Sequence, residues 1–343
     1  MKKQYPFKNW TVFLIVFLLF WNGDKPPICL SDGYAQTTGS DSSLDRETKV
    51  EKTERYHKQS EQLLMDSAEW IDSFFGSEIY TAEVNKTYLR FRLTSFVEDG
   101  EGFDNSARFK LRLRLPNTEK RFRLTIASDI DEIDREDDAT DDVISDRLEE
   151  MDDNLAAGLE YFLLDRNLHN VKFSVGATYR DSTPVVYGGV RYRYLVNYRR
   201  WTMRFVERPR WYTDDGWDIR SEIDFERQIL DKLFFRTTPA LKWKEKQDGF
   251  EYSWGTSLYQ PLNKISALEY QFNTYFDTEI SGDLKESNVR VRYRRQVWRK
   301  WLIFEAAPQL AWYEERDFKT IAGIMVRLEI WMGGYKNLIS SGN

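Results

Sequence analysis

The sequence predicts an all-β transmembrane barrel of about fourteen antiparallel strands, preceded by a short amphipathic helix. Three observations lead there. From Thr87 onward, apolar and charged residues alternate with a period of two. Aromatic residues, 15% of the chain, gather at the ends of the alternating runs. The connections alternate between tight turns and longer, more acidic loops.

Composition alone points elsewhere. The chain has 343 residues, 31% of them charged, and its mean hydropathy is −0.63. After the N-terminus no stretch reaches the roughly 18 apolar residues a transmembrane helix needs. Such numbers describe a water-soluble protein, yet 12 Trp, 19 Tyr and 22 Phe sit beside the charge. That combination fits a strand-built membrane wall, in which one side chain meets lipid and the next meets water. A net charge of −6 argues against a nucleic-acid partner. Cys29 is the only cysteine, which excludes a disulfide framework and a cysteine-based metal centre. No cofactor is expected.

The N-terminus reads as an export signal over residues 1–35. Lys2, Lys3 and Lys8 precede the apolar run Trp10 to Trp21, and Gly33-Tyr34-Ala35 offers a cleavage site. The run is short for a membrane anchor. Pro27-Ile28 before Cys29 makes a poor lipidation signal. Residues 36–78 begin as a Gly/Ser/Asp-rich linker and become helical in pattern: Leu64, Ala68, Ile71 and Phe75 draw one apolar stripe. This helix is expected under the barrel on the periplasmic side, with a plug inside the lumen as the alternative. The barrel is expected over 79–334 and a C-terminal tail over 335–343.

Within the barrel the runs follow in order. Leu89, Phe91 and Leu93 alternate with Arg90, Arg92 and Thr94. Phe109, Leu111 and Leu113 alternate with Arg108, Lys110, Arg112 and Arg114. Leu124 and Ile126 alternate with Arg121, Arg123 and Thr125. A fourth run lies near 155–164, and in the fifth Val171, Phe173 and Val175 alternate with Lys172, Ser174 and Gly176. Tyr192 and Tyr194 alternate with Arg191 and Arg193 in the sixth, and the seventh spans about 201–211. In the eighth, Ile219, Ile223 and Phe225 alternate with Glu222, Asp224 and Glu226. The ninth lies near 233–243. The tenth sets Tyr252, Trp254 and Leu258 against Glu251, Ser253 and Ser257. The eleventh lies near 265–276, the twelfth sets Val289 and Val291 against Arg290, Arg292 and Arg294, and the thirteenth lies near 301–312. Ile324, Val326, Leu328 and Ile330 alternate with Arg327 and Glu329 in the last. Each such strand has one greasy and one charged face. Trp201, Trp211, Trp217, Trp243, Trp301 and Trp312 stand at run ends, where an indole suits a lipid–water boundary.

Alternation assigns the charged residues to the interior. Fourteen strands enclose more space than wall side chains fill, since about eight already leave an interior just wide enough for them. The candidate pore-lining residues are Arg90, Arg92, Arg108, Lys110, Arg112, Arg114, Arg121, Arg123, Arg191, Arg193, Arg290, Arg292 and Arg294, with Glu222, Asp224, Glu226 and Glu329. Further inward acids are expected at Glu160, Glu251, Glu269 and Glu305. Two roles suit these ladders: neighbouring strands neutralising one another, or an arginine-rich path that favours anions. On closure the first and last runs adjoin, which brings Glu329 near Arg90 or Arg92. Residues 129–153 form an acidic outer loop without the spacing of a calcium-binding loop, so a solvated loop with weak cation bridging is expected there.

Over about residues 79–334 the chain resembles bacterial outer-membrane barrels, on architecture rather than motif. The resemblance implies an outer-membrane address in a Gram-negative-type envelope, contact with outer-membrane lipid, handling by the barrel-assembly machinery, and small hydrophilic solutes as cargo of a porin-like channel; the arginine ladders add anions to that cargo. A closed barrel that presents outer loops or a periplasmic helix to partners is the alternative, and an outer-membrane lipid-modifying enzyme or protease ranks after it. The tail after Ile330-Trp331 departs from the pattern of ending on a strand-terminal aromatic. No catalytic residue is assigned: His57 and His169, the only histidines, fall in the pre-barrel helix and a tight turn. Nothing in the sequence fixes an oligomeric state.

Overall fold

The computed structural model describes residues 87–333, apart from 101, 115–121, 129, 131–132, 134–154, 166–167, 181–182, 231, 279–282 and 300. The expected export signal, the helix of 36–78, Arg121, nearly all of the acidic loop and the tail of 335–343 lie outside the described residues. Arg114 belongs to a strand, but its side chain lies outside them too.

Fourteen strands run β1 (Tyr88–Glu98), β2 (Phe103–Arg114), β3 (Phe122–Ala127), β4 (Ala156–Asp165), β5 (His169–Arg180), β6 (Thr183–Tyr198), β7 (Trp201–Tyr212), β8 (Gly216–Leu230), β9 (Leu233–Lys244), β10 (Glu251–Asn263), β11 (Ser266–Asp277), β12 (Asp283–Gln296), β13 (Leu302–Tyr313) and β14 (Ile321–Met332). Each pairs antiparallel with the next, and β14 returns to β1, so the sheet closes. Closure leaves no unpaired strand edge, the one way a sheet satisfies its backbone without water.

The expected alternation is the observed one. Phe91, Leu93, Phe173, Val175, Val289 and Val326 stand exposed on the outer face. Arg90, Lys110, Lys172, Glu222, Arg292 and Glu329 point inward and are buried. Because the period is two, a slip of one residue would put a row of arginines into lipid, and that penalty fixes register. Four pairings contain a shift, at Phe162/Leu164, Gln228/Leu230, Pro261/Asn263 and Tyr275/Phe276.

Both ends of the described chain lie at the same end of the barrel, with the connections β2–β3, β4–β5, β6–β7, β8–β9, β10–β11 and β12–β13. The β6–β7 turn is Arg199-Arg200, with Arg199 at φ 56°. The opposite end holds the longer loops, but less uniformly than expected. The 128–155 connection is long, whereas 181–182 and 213–215 are as tight as turns at the other end. At that end Ile130 and Ile133, from the start of the acidic stretch, are buried against Ala127, Ala156, Val185, Tyr187 and Tyr212. Apolar residues three apart on a helical turn share a face, which lets this short piece dock inward although its neighbours in sequence are acidic.

Candidate functional site: the charged inner wall

Every predicted pore-lining residue whose side chain is described does face inward. Strand register then decides which of them meet. On β11–β14 and β1, opposite charges stand directly across from one another: Glu269 from Arg292, Arg294 from Glu305, Glu305 from Arg327, and Arg92 from Glu329. The side chains follow the register. Arg292 donates from Nη1 to Glu269 at 2.9 Å, and from Nε and Nη2 to the two Glu305 oxygens at 3.0 and 3.1 Å. Arg294 donates to Glu305 and to Glu329, each at 3.1 Å. Arg327 approaches Glu305 at 3.9 Å, and Arg92 reaches Glu329 at 3.5 Å across the closing seam. The planar guanidinium fork suits such paired contacts with carboxylates.

A second network spans β7–β9. Glu226 takes Arg236 at 2.7 Å and Arg204 at 3.2 Å. Asp224 accepts the Thr238 hydroxyl at 2.5 Å, and Glu222 pairs with Arg208 at 2.7 Å and Arg220 at 3.4 Å. A third centres on Glu160 of β4, which meets Lys172 at 2.5 Å, the Thr125 hydroxyl at 3.1 Å and Arg123 at 3.7 Å.

Two sectors differ. Across β1–β2 the inward register sets Arg90 opposite Lys110 and Arg92 opposite Arg108. Across β5–β6 it sets Lys172 opposite Arg191. Like charges in such positions repel. At the short-turn mouth of this basic wall sits an aromatic pair, Tyr88 and Trp331, with ring centroids 5.1 Å apart. Arg112 lies over Tyr88 at 5.2 Å and Arg90 over Trp331 at 5.4 Å, within cation–π range.

Most of the inner wall is withdrawn from water. Arg292 and Glu269 are both 0% exposed, and Arg294 is 1% exposed. Towards the long-loop end of β8–β10 the charges open up: Arg220 is 27% exposed and Lys242 24%. Arg108 on β2 is half-buried.

Sequence reasoning left several members of the wall off the candidate list: Arg204, Arg208 and Arg210 on β7, Arg220 on β8, Arg236 on β9 and Arg327 on β14. Parity would have found them. In β7 the outward Phe205 and Trp211 are odd-numbered, so the even-numbered arginines face in. His169 opens β5 on the outward parity, with Nδ1 3.1 Å from the Tyr192 hydroxyl and its ring stacked on Tyr194 at 4.6 Å. It touches none of the inward charges.

A closed antiparallel barrel with an apolar exterior, rim tryptophans such as Trp211 and Trp217, and a charged interior has one architectural counterpart. The fold is that of an outer-membrane β-barrel.

No protein-family model matches the chain, and no curated protein matches it. Among solved structures it is similar to the outer-membrane expressed OmpT of Vibrio cholerae (TM-score 0.46, 9% identity, 72% of this chain and 97% of that one). It is also similar to an anion-selective porin from Comamonas acidovorans (TM-score 0.44, 7% identity, 72% and 98%). A third is the outer membrane channel DcaP of Acinetobacter baumannii (TM-score 0.41, 8% identity, 72% and 96%).

Proposed function

We propose that this barrel resides in the outer membrane as a porin-like channel for small hydrophilic solutes, with a preference for anions. The observation that carries the reading is the like-charge register of the inner wall: Arg90 opposite Lys110, Arg92 opposite Arg108, and Lys172 opposite Arg191. Cation also meets cation where Arg208 stands opposite Arg220 and Arg220 opposite Lys242, whereas β11–β14 and the closing seam set opposite charges against each other. A row of Arg and Lys on a barrel interior favours passage of anions. The barrel is also wide: eight strands already leave room for their own side chains, and this sheet has fourteen. In this reading lipid covers the outer face and the barrel-assembly machinery inserts the chain.

A second reading, a closed barrel that anchors partners, is favoured by a different observation. Arg90, Lys110 and Arg112 are each 1% exposed, so the basic wall is withdrawn from bulk water at that level.

Single-channel recording separates the two. Protein lacking residues 1–35 is refolded into a planar bilayer under a salt gradient. Steady conductance with a reversal potential on the anion side supports the channel, and Arg108→Glu or Arg112→Glu then shifts that potential towards cations. A folded, heat-modifiable barrel that passes no current overturns it in favour of the closed anchor. Unchanged selectivity in both variants overturns the arginine wall as the source of preference.

A further inference from the structure

One row of the inner wall divides its charge by sign. Near the long-loop end, register places Arg208 of β7 opposite Arg220 of β8, and Arg220 opposite Lys242 of β9. The same row continues through Glu251 of β10 and Asp277 of β11 to Asp283 of β12. The shift at Tyr275/Phe276 is what brings Asp283 into it from an odd position on its strand. Three cations on adjacent strands are thus followed by three acids on the next three. Like charges directly opposite one another are destabilising. A wall built only to neutralise itself alternates its signs, as Arg294, Glu305 and Arg327 do across β12–β14. The divided row calls for a role beyond holding the wall together.

This row is also where the wall opens to solvent. Arg208 is buried, but Arg220, Lys242, Glu251 and Asp277 are half-buried and Asp283 is exposed. In the next inward row towards the short-turn end, Ala240 and Ser253 face each other between Glu222 and Tyr275. Two short side chains side by side leave a dip in the wall beneath the charged row. Tyr275 flanks it, hydrogen-bonded to Glu251. The ion pairs at this height are loose: Lys242 lies 3.9 Å from Asp218, and Lys244 3.3 Å from Glu251, all partly in solvent. Pairs of that kind hold weakly and exchange readily for the charges of a solute.

We propose that this row is a recognition site for zwitterionic solutes of the short-peptide class. The carboxylate end meets Arg220 and Lys242, the ammonium end meets Asp277 and Asp283, and the backbone between them lies over Ala240 and Ser253. Arg220 and Asp277 are three strand spacings apart, about 14 Å along the wall. Their side chains converge towards the lumen, and an extended tripeptide spans about 10–11 Å. A solute of one sign is attracted by half of the row and repelled by the other half, whereas a zwitterion is matched at both ends. Each contact is weak by itself, as a site on a transport path must be if the solute is to leave again. The proposal rests on the channel reading, in which solute enters through this mouth, and it names the class of solute.

The test uses the full chain extracted from membranes in mild detergent, with heat-modifiable migration to report folding. Saturation-transfer NMR titrations compare triglycine with N-acetyltriglycine, which keeps only the carboxylate, and triglycinamide, which keeps only the ammonium. Triglycine is expected to bind more tightly than either. Lys242→Gln should weaken triglycine and N-acetyltriglycine by about fivefold and spare triglycinamide, and Asp277→Asn should weaken triglycine and triglycinamide by about fivefold and spare N-acetyltriglycine. Lys319→Gln, on the exposed β13–β14 connection, should change none of them. Equal binding of N-acetyltriglycine and triglycine overturns the proposal, as does triglycine binding that neither row variant weakens or that Lys319→Gln weakens as much. If a row variant fails to fold, the comparison of the three compounds on the wild type decides alone. Block of single-channel current by triglycine separates the two readings. Current without triglycine binding overturns this site and leaves the channel, whereas binding without current overturns the channel and leaves the site.

Discussion

Arg92 of β1 and Glu329 of β14 face each other in register, 3.5 Å apart, across the seam where the first strand of the sheet meets the last. Glu329 also takes Arg294 of β12 at 3.1 Å, so one buried carboxylate ties three strands at the point of closure. The contact spans almost the whole barrel in sequence, and it forms only once β14 is in place. Contacts of such separation come late and are slow to form. Glu329→Gln leaves two buried guanidiniums without this counter-charge, a change that costs about 3–5 kcal/mol when a buried pair is broken. The expected result is a lower urea midpoint and a larger fraction of unfolded protein after refolding, both read from heat-modifiable migration on gels.

Arg292 offers the sharpest contrast between the two basic side chains. It lies between Glu269 and Glu305 with three hydrogen bonds of 2.9 to 3.1 Å and no exposed surface. Arg292→Met leaves two carboxylates buried on one side of the lumen and should destabilise the barrel by about 3–5 kcal/mol. Arg292→Lys should recover only part of that, because a single ammonium cannot reproduce the fork. Equal urea midpoints for the Lys variant and the wild type would show that charge alone, without geometry, holds this site.

At the long-loop end the same kind of pairing should matter little. Arg180 meets Asp214 at 3.1 Å and Asp215 at 2.6 Å, with all three side chains partly in solvent. Exposed pairs of this sort contribute about 0–1 kcal/mol, and salt screens them. Arg180→Ala is expected to lower the urea midpoint by an amount that shrinks further at high ionic strength. A loss as large as that of Arg292→Met would mean that this rim cluster matters to stability as much as the buried networks do.

The strands were legible because lipid outside and charge inside impose a period of two over every run. Runs placed near 201–211, 233–243 and 301–312 fall within about a residue or two of β7, β9 and β13. Facing was legible for the same reason: the parity that puts Phe91 outside puts Arg90 and Arg92 inside. Pairing was only partly legible. Glu329 beside Arg92 follows from closure, whereas the fork of Arg292 on Glu305 depends on a register that turn residues and bulges set locally. The inward burial of Ile130 and Ile133 was not legible, because two isoleucines in an acidic stretch carry no period of their own. Glu207, which faces outward opposite Tyr192 and Ser221, was hidden by its neighbours: in the run Arg204 to Arg210 a charge at an odd position looks like one more member of an arginine-rich strand.

The same parity places a tyrosine over glycine on the inner wall. Gly158, Gly176 and Tyr187 stand in one row across β4, β5 and β6. A methyl group on Gly176 would lie 2.6 Å from the Tyr187 Oη and 2.7 Å from its Cε1, and would also press on the Ala157 carbonyl. Tyr187 is 1% exposed and packs against Tyr212 at 6.2 Å between ring centroids. Its ring fills the space that the two missing side chains leave. Gly176→Ala is therefore an overpacking change, expected to lower stability by about 1–3 kcal/mol. Gly102→Ala, where a methyl group meets nothing within 4 Å, should be close to neutral. Tyr187→Ala should cost about 3–5 kcal/mol through the cavity it opens. The two effects share atoms, so they should not add. In the double variant the new methyl group occupies part of the vacated space, and the combined loss should fall short of the sum by about 0.5–3 kcal/mol. Urea unfolding of the four proteins measures this coupling directly. An additive result would show that the Gly176 strain comes from the Ala157 carbonyl rather than from the tyrosine ring.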